Sequence, residues 1–271
     1  MENNYLGKEM SFATFAKIAK KIEKSKEYLI FSVGDSITEG FWSSSADNTY
    51  TSVFARGLAE RFPKKNVIRY DGKRHKHPDS EIMPINSYGE PITVGEGSES
   101  KLTVVRSGIG GNSVRRMLNR RADFIGKEID GKYADLFIFS VGINDSIKEV
   151  ASKYATPEQY KKDLFELCSL VKERHPDADV ILMTPTWFDL GESYGSTVDA
   201  YADAMNEFAH EYGIPVVDQH KSWMEHFIMG SANYGQRDWL CDKEKFGDRC
   251  HPSDAGHAAM AQKMLECIFG K

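Results

Sequence analysis

Short apolar runs and longer helical stretches take turns along this chain, and that alternation restricts its fold more than any other feature. Residues 28–33 and 136–141 are near-continuous apolar runs of strand length, and 136–141 is the clearest buried strand in the sequence. Further strands are predicted over 67–70, 102–105, 180–184 and 215–218. Between them, residues 11–27 carry Phe12, Phe15, Ile18, Ala19 and Ile22 at helical spacing, with Ser11 as the N-cap. Helices are also predicted over 49–62, 113–122, 157–174, 198–212 and 253–269. Pro157 opens one of them, where a missing N–H costs nothing, and Gly213 closes another. Strands of four to seven residues alternating with helices in this way imply an α/β fold: a parallel sheet with helices on both faces. Ligands bind such sheets at the carboxyl ends of the strands.

The 271 residues fit one domain spanning 1–271, and no internal repeat is visible. Hydrophobic content of 41% and charged content of 28% call for a packed core. A net charge of -5 argues against nucleic acid as a partner, because phosphate binding needs a basic surface. No run is long enough to span a bilayer, and the first residues lack a basic start followed by an apolar stretch. A cytoplasmic protein without a membrane partner is expected. Of the four cysteines, Cys168, Cys241, Cys250 and Cys267, none has metal-type spacing; free thiols suit that compartment, and a Cys241–Cys250 bridge is the alternative.

One segment breaks the alternation. Residues 71–100 are polar and rich in Gly and Pro, with a basic run from Lys73 to His77. A surface excursion with a hairpin through 82–94 is the plain reading. A lid, a substrate wall or a contact in a homo-oligomer is the sharper one. His75 and His77 flank a single Lys, too few ligands for a metal site.

Four short motifs carry chemistry. Ser36 lies in Gly34-Asp35-Ser36-Ile37-Thr38, directly after a strand, where a tight turn can expose its hydroxyl; a helix N-cap is the plain alternative. His251 lies in Asp248-Arg249-Cys250-His251-Pro252, with a carboxylate three residues earlier that one turn of chain brings to the ring. Such a pair suits a base and its orienting acid. Gly110 and Gly111 follow a second strand, and Asn144, in Gly142-Ile143-Asn144-Asp145, follows a third. A glycine lets a backbone N–H approach closely, and Asn donates an N–H without adding charge. These are the donors an oxyanion needs. His257 and Asp254 compete with the Asp248–His251 pair but fall inside the last predicted helix.

In their order and number, these blocks resemble the SGNH (GDSL-type) hydrolase family across essentially the whole chain. The first block reads Gly-Asp-Ser-Ile, a common variation on Gly-Asp-Ser-Leu; the third and last match fully; the second is the loosest, and Asn112-Ser113 favours Gly111 over Gly110 as its donor. The resemblance implies a flavodoxin-like three-layer α/β/α fold with a five-stranded parallel sheet. It also implies metal-independent ester hydrolysis without a cofactor. By that analogy Ser36 is the nucleophile, His251 the base, Asp248 the orienting acid, and Ser36, Gly111 and Asn144 the oxyanion donors.

Substrate clues are thinner. Trp42, Trp187 and Trp239 fall near expected rim positions, where a sugar could stack, although large aromatics mostly pack in cores. Arg115 or Arg116 could meet an anionic substrate, or form a solvated helix face. No extended apolar loop offers itself to a long acyl chain. The leading expectation is an acetylesterase acting on a small-molecule or oligosaccharide ester. A lysophospholipase or thioesterase of longer chains is the first alternative, and a non-catalytic sugar-binding protein the second.

Overall fold

The computed structural model describes residues 10–74, 85–187, 195–229, 239–240 and 250–270. Its strands are β1 (Glu27–Gly34), β2 (Lys65–Arg74), β3 (Ile85–Tyr88), β4 (Ile92–Glu96), β5 (Ser100–Gly108), β6 (Leu136–Ser140), β7 (Asp179–Met183) and β8 (Val216–Val217). They form one sheet in the order β3-β2-β5-β1-β6-β7-β8, and β4 also pairs with β2. The strands from β2 to β8 in that order are all parallel. The parallel part thus has six strands: the expected five, β5-β1-β6-β7-β8, the last only two residues long, and β2 added beside β5.

Leaving aside β2, which is added at the edge beside β5, the strands β1, β5, β6, β7 and β8 lie in the order second, first, third, fourth, fifth, the flavodoxin order. β1 lies between β5 and β6, so the strand leading to Ser36 has as neighbours the strands leading to Gly111 and Asn144.

The helices are α1 (Phe15–Lys24), α2 (Ser36–Glu39), α3 (Tyr50–Arg61), α4 (Val114–Asn119), α5 (Pro157–Arg174), α6 (Gly195–Tyr212), α7 (Gln219–Met224) and α8 (Asp254–Phe269). Alternate residues of β1 go to opposite faces, as a strand's twofold period requires. Leu29, Phe31 and Val33 pack with Met117 of α4, Leu164 of α5 and Met205 of α6. Tyr28 and Ile30 pack with Ile18 of α1, Phe54 of α3 and Met260 of α8. Helices on both faces explain why the strands read as apolar runs rather than as alternating patterns.

Three helices differ from expectation by three residues or more at an end; one of them, expected over 198–212, begins at Gly195. The first helix of the chain begins at Phe15, not near Ser11, because Thr14 is extended and the Ala13 N–H is drawn off to Asp179 Oδ1 at 3.1 Å. The helix expected over 113–122 stops at Asn119, where Arg120 leaves helical geometry and its guanidinium donates to the Ser107 carbonyl at 2.9 Å.

Of the 71–100 segment, the described stretches 71–74, 85–88 and 92–96 belong to the sheet. β3 and β4 both run antiparallel to β2, so they form one interrupted return arm along its edge. The hairpin therefore pairs this arm with β2 instead of folding within 82–94. Tyr88 anchors the arm, its hydroxyl donating to the Asp123 carbonyl at 2.8 Å and its ring meeting Phe31 edge-on. His75, His77 and Cys241 lie outside the described residues, and with Cys241 the question of its bridge to Cys250. None of the helices among the described residues is long and apolar enough to cross a membrane.

Candidate active site

The strand register sets the site. Gly34 of β1 is paired with Gly108 of β5 on one side and Ser140 of β6 on the other, so three chains leave the sheet at one level. Ser36 follows two residues later on the first, Gly111 three residues later on the second, and Asn144 four residues later on the third.

Each exit is built for close approach. A side chain at Gly34 would lie 2.1 Å from Thr38 Oγ1 and 2.5 Å from the Ser140 carbonyl; one at Gly108 would lie 2.0 Å from the Glu39 nitrogen. The two glycines thus let α2 lie directly across the strand ends. Asp35 caps α2, accepting the Ile37 N–H at 2.9 Å, which leaves Ser36 as the first helical residue and half-buried. The Tyr50 hydroxyl ties this turn down, bonding Thr38 Oγ1 at 2.8 Å and Ser32 Oγ at 2.9 Å. The Gly34 carbonyl accepts from Ile109 N at 3.1 Å and Asn112 Nδ2 at 3.0 Å, which holds the Gly111 turn to the end of β1.

His251 arrives from the other end of the chain. An antiparallel bridge between Leu240 and Pro252 fixes the segment, and Ser253 caps α8 by accepting the Gly256 N–H at 3.2 Å. Asp254 binds the Ser44 N–H at 2.9 Å and Asn48 Nδ2 at 3.0 Å, which fastens the start of α8 to the loop after α2. The result is contact between residues 215 apart: His251 Nε2 lies 2.8 Å from Ser36 Oγ. His257, the competing imidazole, is fully buried elsewhere; its Nδ1 accepts the Tyr50 N–H at 3.3 Å, and burial lowers its pKa to about 3. Asp248 lies outside the described residues.

The two glycines of the second block part ways. The Gly110 N–H is committed to Glu39 Oε2 at 2.7 Å. Gly111 has a left-handed φ of +79°, a conformation that favours glycine. Among the described residues, neither the Gly111 N–H nor the Asn144 side-chain amide is matched to an acceptor. The Lys153 ammonium and the Arg116 guanidinium border Gly111. Arg115 points away: it pairs with Asp163 of α5 and lines a groove of about 490 Å³ between α5 and α6. The arginine beside the site is therefore Arg116, not Arg115, as a helix turns about 100° per residue.

The three tryptophans also separate. Trp187 packs on Phe227, and Trp239 stacks on His226 and meets Trp223 edge-on, so both are half-buried in one aromatic cluster. Trp42 is exposed, and Phe41 beside it places its ring 5.4 Å from that of His251. Phe41 escaped the sequence reading because nothing local distinguishes it from a core phenylalanine.

Two carboxyl groups sit beneath the site. Asp145 is fully buried, its Oδ1 accepting the Val114 N–H at 3.0 Å, while Oδ2 has no hydrogen-bond partner among the described residues. It joins the turn bearing Asn144 to the start of α4, just after the Gly111 turn. Burial raises its pKa to about 8 and that of Asp35 to about 7. A folded-state pKa above the unfolded one means that the folded chain holds extra protons, so stability falls as pH rises through this window. Asp145→Asn keeps the accepting oxygen and removes the titration. Its Tm relative to wild type is expected to be higher at pH 8 than at pH 5; thermal unfolding across that range checks this, and a difference that does not change with pH contradicts the assignment.

A serine hydroxyl against an imidazole at a strand rim, with amide donors on the adjoining turns, is the equipment of acyl transfer, and the family the chain matches makes it a carboxylic ester hydrolase. The sequence profile of the GDSL-like lipase/acylhydrolase family matches residues 30–264, and the chain belongs to that family. It is 28% identical to an acetylxylan esterase of Geobacillus stearothermophilus over 175 residues, 63% of this chain and 74% of that protein. Among solved structures, an acetyl xylan esterase of the same organism superimposes with a TM-score of 0.61 at 22% identity, covering 90% of this chain and 95% of the other. A lipase/acylhydrolase from Enterococcus faecalis gives a TM-score of 0.57 at 18% identity, covering 88% and 94%. At these identities the structural likenesses speak to the fold.

Proposed function

We propose that this protein removes acetyl groups from acetylated carbohydrates through an acyl-enzyme on Ser36. The 2.8 Å contact between Ser36 Oγ and His251 Nε2 carries the catalytic reading. His251 takes the Ser36 proton as Oγ attacks the ester carbonyl, and the role of the acid that stabilises the imidazolium is assigned to Asp248, three residues before it in the sequence. The oxyanion is held by the Ser36 and Gly111 N–H groups and the Asn144 side chain; the engagement of Gly110 by Glu39 supports Gly111 in that role. His251 then returns the proton to the departing sugar hydroxyl, and water activated by the same ring releases acetate.

The acetyl and carbohydrate parts rest on the acetylxylan esterase relative and on the exposed aromatics beside His251. The test is hydrolysis of p-nitrophenyl esters from acetate to octanoate in the presence of EDTA. Activity is expected to peak at acetate, to survive EDTA and to vanish in Ser36→Ala. A peak at octanoate would move the substrate to lipids or thioesters, and loss with EDTA would end the metal-independent reading.

A further inference from the structure

We propose that Phe41 and Trp42 form an aromatic platform for the sugar ring that carries the scissile acetyl group. This rests on the carbohydrate reading above and makes it specific to two residues. They directly follow α2, and their rings meet edge-on with centroids 5.4 Å apart. Phe41 in turn lies 5.4 Å from the His251 ring, so the pair extends outward from the base. Both residues remain open to solvent, Phe41 at 42% and Trp42 at 38%, and among the described residues Tyr133 is the only other exposed large aromatic.

Backbone geometry adds a separate argument. Trp42 has a φ of +62°, and among the described residues Asp130 is the only other non-glycine with a positive value. Aspartate tolerates that region; a bulky side chain seldom adopts it. Glycine would adopt this conformation more readily, so a tryptophan here carries a backbone cost. Strain of this kind clusters at ligand clamps, where a ring must be held at one angle. A pyranose matches such a surface, since one of its faces presents C–H groups to an aromatic ring while its hydroxyls stay in water. A ring seated there would be held beside the His251 imidazole, within reach of which its ester must come.

The experiment compares xylose tetraacetate with methyl acetate, two acetyl esters of which one has a sugar ring. The readout is the ratio of their kcat/KM values in wild type, Trp42→Gly, Trp42→Phe and the distant surface variant Tyr133→Ala. Trp42→Gly is expected to lower the ratio about tenfold, mainly through KM for the sugar ester, as a lost stacking contact would. Its Tm should match or exceed wild type, because glycine relieves the left-handed backbone. Trp42→Phe should recover most of the ratio, and Tyr133→Ala should not change it. An unchanged ratio in Trp42→Gly, with a wild type that prefers the sugar ester, would overturn the platform alone. A wild type that shows no such preference would overturn the carbohydrate reading and the platform with it, while Ser36-dependent cleavage of methyl acetate would leave the hydrolase standing.

Discussion

Ser36→Ala is expected to lower kcat on p-nitrophenyl acetate by at least about 10⁴-fold, and His251→Ala by a similar factor. The double variant should be scarcely worse than either single one. In the proposed mechanism the two side chains act as one unit across their 2.8 Å contact, so removing either leaves the other without a function. Asp248→Asn belongs in the same series, with an expected loss of about 10²- to 10⁴-fold if it orients the imidazole. All variants should keep the wild-type unfolding transition, because Ser36 and His251 are only half-buried. Additive losses in Ser36→Ala/His251→Ala would mean that the two residues contribute independently, and would remove His251 as the base for Ser36. Near-normal turnover by Asp248→Asn would send the acid role to another carboxylate.

Gly108→Ala should damage fold and chemistry together. Its new methyl group would lie 2.0 Å from the Glu39 nitrogen and 2.4 Å from the Thr38 carbonyl carbon, both backbone atoms. A flexible side chain could swing aside, but here α2 itself must lift off the strand ends. Overpacking of this kind costs about 3 kcal/mol. Because Ser36 rides on α2, a shift of about 1 Å should also lower kcat/KM about 10²-fold. Gly126→Ala is the control: its nearest neighbour would be 3.5 Å away, and its stability should stay within about 0.5 kcal/mol of wild type. Urea unfolding and acetate-ester turnover of the two variants check both effects. Equal stabilities would show that the strand-end glycine is not needed for α2 to pack.

The alternating sheet and helices were legible in the sequence because their signals are local. The helix predicted over 157–174 is found as Pro157–Arg174, capped by Thr156. β1 exceeds its predicted 28–33 by one residue at each end. Where local pattern competed with tertiary bonds, boundaries moved: Asp179 delays the first helix, and the pull of Ser107 on Arg120 ends α4 early. The 71–100 segment was illegible for a different reason. Edge strands need only one apolar face, and β4 among them is exposed or half-buried throughout.

The candidate site divides along the same line. Ser36, His251, Gly111 and Asn144 could be named from residue type, motif and order, because chemistry demands particular functional groups and the turns that carry them have local signatures. Their meeting could not be read there. It depends on β1 lying between β5 and β6, and on the start of α8 being tied to Ser44 and Asn48 more than 200 positions away. Nor could sequence decide between Arg115 and Arg116, or among three tryptophans, since each choice turns on which neighbour a side chain meets in space. Residue types state what a site can do; only long-range packing settles which residues are near enough to do it.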